Sequence, residues 1–110
     1  MSRGDGLRLE DILEAIGRVR EYAPLTDDAL AGAVHDAILY NLVVIGEAAA
    51  RLSDEVRASA PEIPWPQVVG LRNLLAHEYF RVDAEIIGEI LDKQLSQLET
   101  TVEALLADFR

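Results

Sequence analysis

Leu71-Arg72-Asn73-Leu74-Leu75-Ala76-His77-Glu78-Tyr79-Phe80-Arg81 is the stretch around which the rest of the chain is organised. It holds one of the two histidines and one of the three tyrosines. On either side of it the sequence reads as plain amphipathic helix, so any chemistry belongs here. On a regular helix each residue advances about 100°. Arg72 and Tyr79, seven apart, then fall almost on one line. Asn73 and His77, four apart, form a second line, with His77 about 140° around from Arg72. Leu71, Leu74 and Leu75 take the remaining side. The spacing therefore predicts a helix with leucines toward a core and a polar arc of Arg72, Asn73, His77 and Tyr79, with Glu78 at the apolar edge.

This motif helix is expected from about Pro66 to Phe80. Pro66 suits a first helical turn, and the three prolines of Pro61-Glu62-Ile63-Pro64-Trp65-Pro66 prevent a continuous helix before it. Trp65 reads as an apolar plug at the bundle end rather than a stacking platform. Further upstream, Ser53-Asp54-Glu55 opens a short helical piece. A long stripe of Leu30, Val34, Ala37, Ile38, Asn41, Leu42, Ile45, Ala49 and Leu52 predicts a second helix capped by Thr26 or Asp27. Gly46 with Ala48, Ala49 and Ala50 forms a narrow waist on it, where a neighbouring helix can approach closely. His35 has no second ligand three or four residues on, and reads as solvent-facing or partly packed.

The first helix, from about Leu7 to Tyr22, carries Leu9, Ile12, Leu13, Ile16 and Val19 at helical spacing and stops before Pro24. Residues 1–6 read as a loose terminus. After the motif, Asp83 is a plausible cap for a last helix. It carries Ile86, Ile87, Ile90, Leu91, Leu95, Leu98, Val102, Leu105 and Phe109 inward, and Glu85, Glu89, Asp92, Glu99 and Glu103 outward. The expected fold is all-α: a single domain over 1–110, an antiparallel up-and-down bundle of four main helices plus one short one.

The chain has 110 residues, 50% hydrophobic and 27% charged, an ordinary globular balance. With no cysteine, disulfides and thiolate metal sites are excluded, and a reducing cytoplasm is compatible. No apolar run approaches the length of a membrane span, so none is expected. The formal net charge of -10 excludes non-specific coating of nucleic acid. The charge is uneven, however: between 64 and 82 only Arg72, Glu78 and Arg81 are charged, so this segment is +1. A nucleic-acid contact would have to be local to it.

Arg72 reaches the His77 side only through a long extended side chain, a local distortion or a second copy of the helix. A two-fold dimer supplies that copy and turns the arc into a cleft lined by two arginines and two histidines. Such a set suits metal-free RNA cleavage. Histidine takes the proton from a ribose 2′-OH or protonates the leaving oxygen. Arginine neutralises charge building on the phosphate, and Asn73 orients the histidine or binds phosphate. Zinc is short of ligands with one histidine. On spacing alone, a capped, salt-bridged surface is the favoured reading of the same residues.

Arg72-Asn73-Leu74-Leu75-Ala76-His77-Glu78-Tyr79 resembles the Arg-x4-His-x-Tyr signature of the HEPN superfamily, specifically its HepT-like toxin branch. Asp11-Ile12-Leu13-Glu14-Ala15-Ile16, the segment from Asn41 to Leu52 and Pro61-Glu62-Ile63-Pro64-Trp65 resemble the same branch in the same order. The similarity covers nearly the whole chain from about Leu7 to Leu106. It implies a helical bundle that dimerises through the motif helix, and a cytoplasmic, cofactor-free ribonuclease with Arg72 and His77 catalytic and Asn73 supporting. It also implies a partner, an MntA-like minimal nucleotidyltransferase antitoxin that transfers AMP onto the motif tyrosine, here Tyr79. Gly88 departs from the branch, standing where a bulky apolar residue is expected. The alternative within the resemblance is a non-catalytic subunit that binds a nucleotide or the partner. A third reading is an acidic helical scaffold whose interface happens to be polar.

Overall fold

The structure, a computed structural model, describes residues 2–25, 27–74, 89 and 93–109. In chain order these form α1 (Arg3–Tyr22), a 3-10 turn (Asp28–Leu30), α2 (Ala31–Ala50), the short α3 (Asp54–Ala58), α4 (Trp65–Gly70), a second 3-10 turn (Leu71–Asn73) and α5 (Leu95–Phe109). No strand occurs among the described residues, and the expected all-α bundle is what the chain forms. Asp83, Ile86, Ile87, Gly88, Ile90 and Leu91 lie outside the described residues.

The loose terminus expected for residues 1–6 is overturned from Ser2 onward. Ser2 Oγ accepts from the Asp5 amide at 3.2 Å, and Asp5 Oδ2 accepts from the Ser2 amide at 3.0 Å. This reciprocal capping box satisfies two donors that a helix N-terminus otherwise leaves unpaired. The same carboxylate reaches across the fold: Oδ1 accepts from the Ser53 amide at 2.8 Å and Oδ2 from Ser53 Oγ at 2.9 Å. Ser53 Oγ in turn accepts from the Val56 amide and caps α3. One aspartate thus ties two helix starts together. Asp5 is 2% exposed. That burial pushes its carboxyl up, but the hydrogen bonds from Ser53 and Ser2 outweigh it and hold the pKa at about 2.

Gly6, next along, lies under the ring of Phe109. A Cβ there would run into that ring, so the start of α1 and the end of α5 meet side by side. Phe109, expected inward, is 37% exposed: it covers Gly6 at the bundle end with its other edge in water. Glu99, expected on a solvated face, is half-buried and pairs with Arg20 at 3.2 Å across α1 and α5.

The core follows the helical stripes. Leu9, Ile12, Ile16 and Val19 of α1 meet Leu39, Leu42, Ile45 and Ala49 of α2, with Leu98 and Val102 of α5 and Val56 of α3. Each buried leucine or isoleucine contributes about 1.5–3 kcal/mol relative to exposure. Leu30 departs from its predicted stripe. It is 51% exposed, because the chain is still in the Asp27-capped 3-10 turn there and has not yet entered α2. A 3-10 turn advances about 120° per residue, which takes Leu30 off the face that α2 buries.

Asp28–Ala50, 23 residues that include an 18-residue stretch of mean hydropathy 1.5, is long and apolar enough by length and composition to cross a membrane. Its place in the fold accounts for that composition. Ile38, Leu39, Leu42, Ile45 and Ala49 are buried on α2, which packs against both α1 and α4. It is the central helix of the bundle, and central helices are apolar on most sides. Asn41 is buried among these residues. Its Nδ2 donates to the Ala37 carbonyl at 2.8 Å, and its Oδ1 has no partner among the described residues.

Candidate functional site

The approach to the motif is anchored by Trp65. Its indole N–H donates to the carbonyls of Arg57 and Ala60, both at 3.0 Å, at the C-terminal end of α3. The predicted apolar plug is present, and its polar edge gives a second donor to carbonyls that already accept from the Ala60 and Ile63 amides. Pro66 lies in the first turn of α4 as expected. Val68 is buried, and Leu71 and Leu74 are half-buried against the core, which fits the predicted leucine side of the motif.

At Leu71 the regular helix gives way to the 3-10 turn Leu71–Asn73, closed by the Leu74 amide on the Leu71 carbonyl. The construction of the polar arc at 100° per residue therefore does not hold across Arg72 and Asn73. The tighter winding, about 120° per residue, turns them away from the directions a regular α-helix would give. Both side chains are exposed. His77, Glu78 and Tyr79 lie outside the described residues, so the structure brings Arg72 and Asn73 together and leaves the two lines of the arc untested.

Among the described residues Arg72 belongs, with Arg3 and Lys93, to the exposed cations that have no ion pair. Arg8, Arg18, Arg20, Arg51 and Arg57 each have a carboxylate oxygen between 2.7 and 3.9 Å away. Arg72 has none among the described residues, and its side chain is exposed. An unpaired guanidinium presents a flat fork of N–H donors matched to the oxygens of a phosphate.

The feature holding Arg72 from behind is Gly46 of α2. A Cβ at Gly46 would collide with the backbone nitrogen of Arg72, and would stand 3.0 Å from the Leu71 carbonyl carbon and 3.1 Å from Arg72 Cα. The narrow waist expected on α2 is thus real at Gly46, and the element it admits is the 3-10 turn of the motif. The sequence signal was the small residue within the apolar stripe; its spacing could not say which neighbour uses it.

A second concavity lies between α1 and α2, a groove of about 440 Å³ bordered by Arg8, Asp11, Tyr40, Val43, Glu47 and Arg51. Tyr40 stands exposed beside it. Positive and negative side chains alternate there, with no excess of either sign.

Residues 12–105 match the family model described as ribonuclease HepT-like. The chain is 30% identical over 108 residues to a candidate ribonuclease HepT of Thermococcus cleftensis, covering 96% of this chain and 98% of that one. It is 39% identical over 70 residues to a candidate RNase of Caldanaerobacter subterraneus subsp. tengcongensis, covering 64% of this chain. It is 34% identical over 67 residues to a candidate RNase of Methanocaldococcus jannaschii, covering 61% of this chain. The matched regions span 62% of the length of each of these last two relatives. No solved structure gives a significant match.

Proposed function

We propose that this chain, which belongs to the ribonuclease HepT-like family, is a metal-independent ribonuclease in which Arg72 and His77 do the chemistry and Asn73 supports them. The observation that carries this reading is the state of Arg72. In a chain with twenty carboxylate side chains it is exposed, carries no ion pair among the described residues, and is backed by the main chain of α2. What sets Arg72 apart from Arg3 and Lys93 is this backing by a core helix: an exposed guanidinium seated on a fixed main chain, with no carboxylate on it among the described residues, suits an incoming phosphate.

The chemistry is that of the residue types. The imidazole of His77 removes the ribose 2′-OH proton, and the 2′-oxygen attacks the adjacent phosphorus. Arg72 stabilises the charge that gathers on the non-bridging oxygens. The 5′-oxygen leaves and takes a proton from an imidazolium, leaving a 2′,3′-cyclic phosphate and a free 5′-hydroxyl. Asn73 orients the imidazole or binds phosphate. A two-fold dimer through the motif helix places the arginine of one copy beside the histidine of the other and supplies both the base and the acid.

In this reading the enzyme is the cytoplasmic toxin of a toxin–antitoxin pair. Its partner is an MntA-like minimal nucleotidyltransferase that joins the phosphorus of AMP to the Tyr79 hydroxyl and releases pyrophosphate from ATP. The added phosphate occupies the anion site that RNA needs. Expression without the partner is the test. Wild-type protein arrests growth, His77→Ala does not, and Lys93→Ala arrests as wild type does. Co-expression with the partner adds the mass of one or more AMP groups, lost in Tyr79→Phe. Growth arrest that survives His77→Ala contradicts the catalytic assignment; an AMP adduct that survives Tyr79→Phe contradicts the regulatory one.

A further inference from the structure

We propose that Gly46 is a positioning residue for RNA cleavage: by letting the main chain of α2 touch the main chain at Leu71 and Arg72, it sets where the Arg72 guanidinium stands. The inference rests on the ribonuclease reading of the site. It extends that reading to a residue on a different helix that bears no chemistry of its own.

The contact has backbone on both sides. The atoms a Gly46 Cβ would meet are the nitrogen and Cα of Arg72 and the carbonyl carbon of Leu71, none of which can rotate aside as a side-chain tip can. Neither partner is free to retreat. On α2, Leu42, Ile45 and Ala49 flank Gly46 and are fully buried. On the motif side, Trp65 is pinned by two hydrogen bonds and Val68 is buried. Leu71 and Leu74 pack on the core.

A methyl group at position 46 must therefore be absorbed between Leu71 and Asn73. The chain is already wound there into a 3-10 turn, a tighter and less favourable conformation than the α-helix that leads into it. The guanidinium moves with its backbone. A misplacement of about 1 Å at a catalytic group costs on the order of 100-fold in rate. Gly17 and Gly32, by contrast, have nothing within 4 Å of an added Cβ.

The test is cleavage of a fluorescent single-stranded oligoribonucleotide by purified full-length protein, with far-ultraviolet circular dichroism on every variant. Gly46→Ala is expected to keep its helical signal, to lower kcat by about 10- to 100-fold and to leave KM within about threefold. Gly17→Ala and Gly32→Ala keep wild-type kcat. Arg72→Ala is measured under single turnover so that its residual rate is read. Adding Gly46→Ala to it should change that rate by less than about twofold, because effects that run through one group do not add.

Wild-type kcat in Gly46→Ala overturns the inference. So does an equal fold loss with and without Arg72, which would mark a general structural defect. Loss of the helical signal in Gly46→Ala also counts against it, since the methyl would then not be absorbed locally. Absence of cleavage by wild-type protein is a different outcome: it defeats the ribonuclease reading, and this inference falls with it.

Discussion

Asp5→Asn should destabilise the protein by about 2 kcal/mol at neutral pH, and the deficit should vanish in acid. The magnitude comes from the hydrogen bonds that Ser2 and Ser53 give its carboxylate. These bring the pKa from 3.8 to about 2. Each pKa unit corresponds to about 1.4 kcal/mol of preference for the charged form. The full shift is then worth about 2.5 kcal/mol, and nearby solvent trims it to about 2 kcal/mol. A depressed carboxyl pKa stabilises the folded state above the unfolded value of 3.8. That contribution is lost as pH falls toward the folded value of about 2. Asparagine keeps the shape, but it replaces one acceptor oxygen with an NH2 that faces donors.

Urea unfolding followed by circular dichroism at pH 7, 5, 4, 3 and 2 reads the effect as a difference between the two proteins. This difference cancels the titration of the other carboxylates. The gap should be about 2 kcal/mol at pH 7 and 5, equivalent to about 9 °C in Tm for a chain of this length. It should close below about pH 3. A gap under about 0.5 kcal/mol at pH 7, or one of constant size from pH 7 to pH 2, would show that the carboxylate does not hold the two helix starts together.

Two further substitutions probe the fold. Asn41→Leu removes a buried Oδ1 that has no partner among the described residues, along with a side-chain hydrogen bond to the Ala37 carbonyl. It should raise stability by about 1 kcal/mol in urea unfolding, and a loss of that size would mean the oxygen is held by a partner. Gly17→Ala places a methyl in open space in the interior of α1 and should stabilise by about 0.5–1 kcal/mol through the unfolded chain's lost freedom. A destabilised Gly17→Ala would mean that something packs there.

The helical layout was legible because the apolar spacing of α1, α2 and α5 is long and regular, and because Pro24, Ser53 and Pro66 mark where helices stop and start. Residues 1–6 carry no apolar run, and the helix there is not visible in local spacing. The Ser2-x-x-Asp5 cap starts α1 at Arg3, and Gly6 makes room for the Phe109 ring. That Asp5 also reaches Ser53, 48 residues away, is set by how α1 meets the α2–α3 turn, which local spacing does not encode. At the site, Arg72 and Asn73 stood out as exposed polar residues beside leucines, and they are so placed. The 3-10 winding under them was hidden, because Leu71, Arg72 and Asn73 carry no local signal against the α-helix. The turn lies where α2 meets this backbone at Gly46, a tertiary contact that local spacing does not encode.

The most direct measurement is the product of RNA treated with purified wild-type protein, Arg72→Ala and His77→Ala in excess chelator. The account predicts that wild type cleaves and leaves 2′,3′-cyclic phosphate ends, while each variant loses at least about 100-fold in rate with its helical content intact. Cleavage that stops on adding chelator, or that proceeds at the wild-type rate without His77, would contradict it.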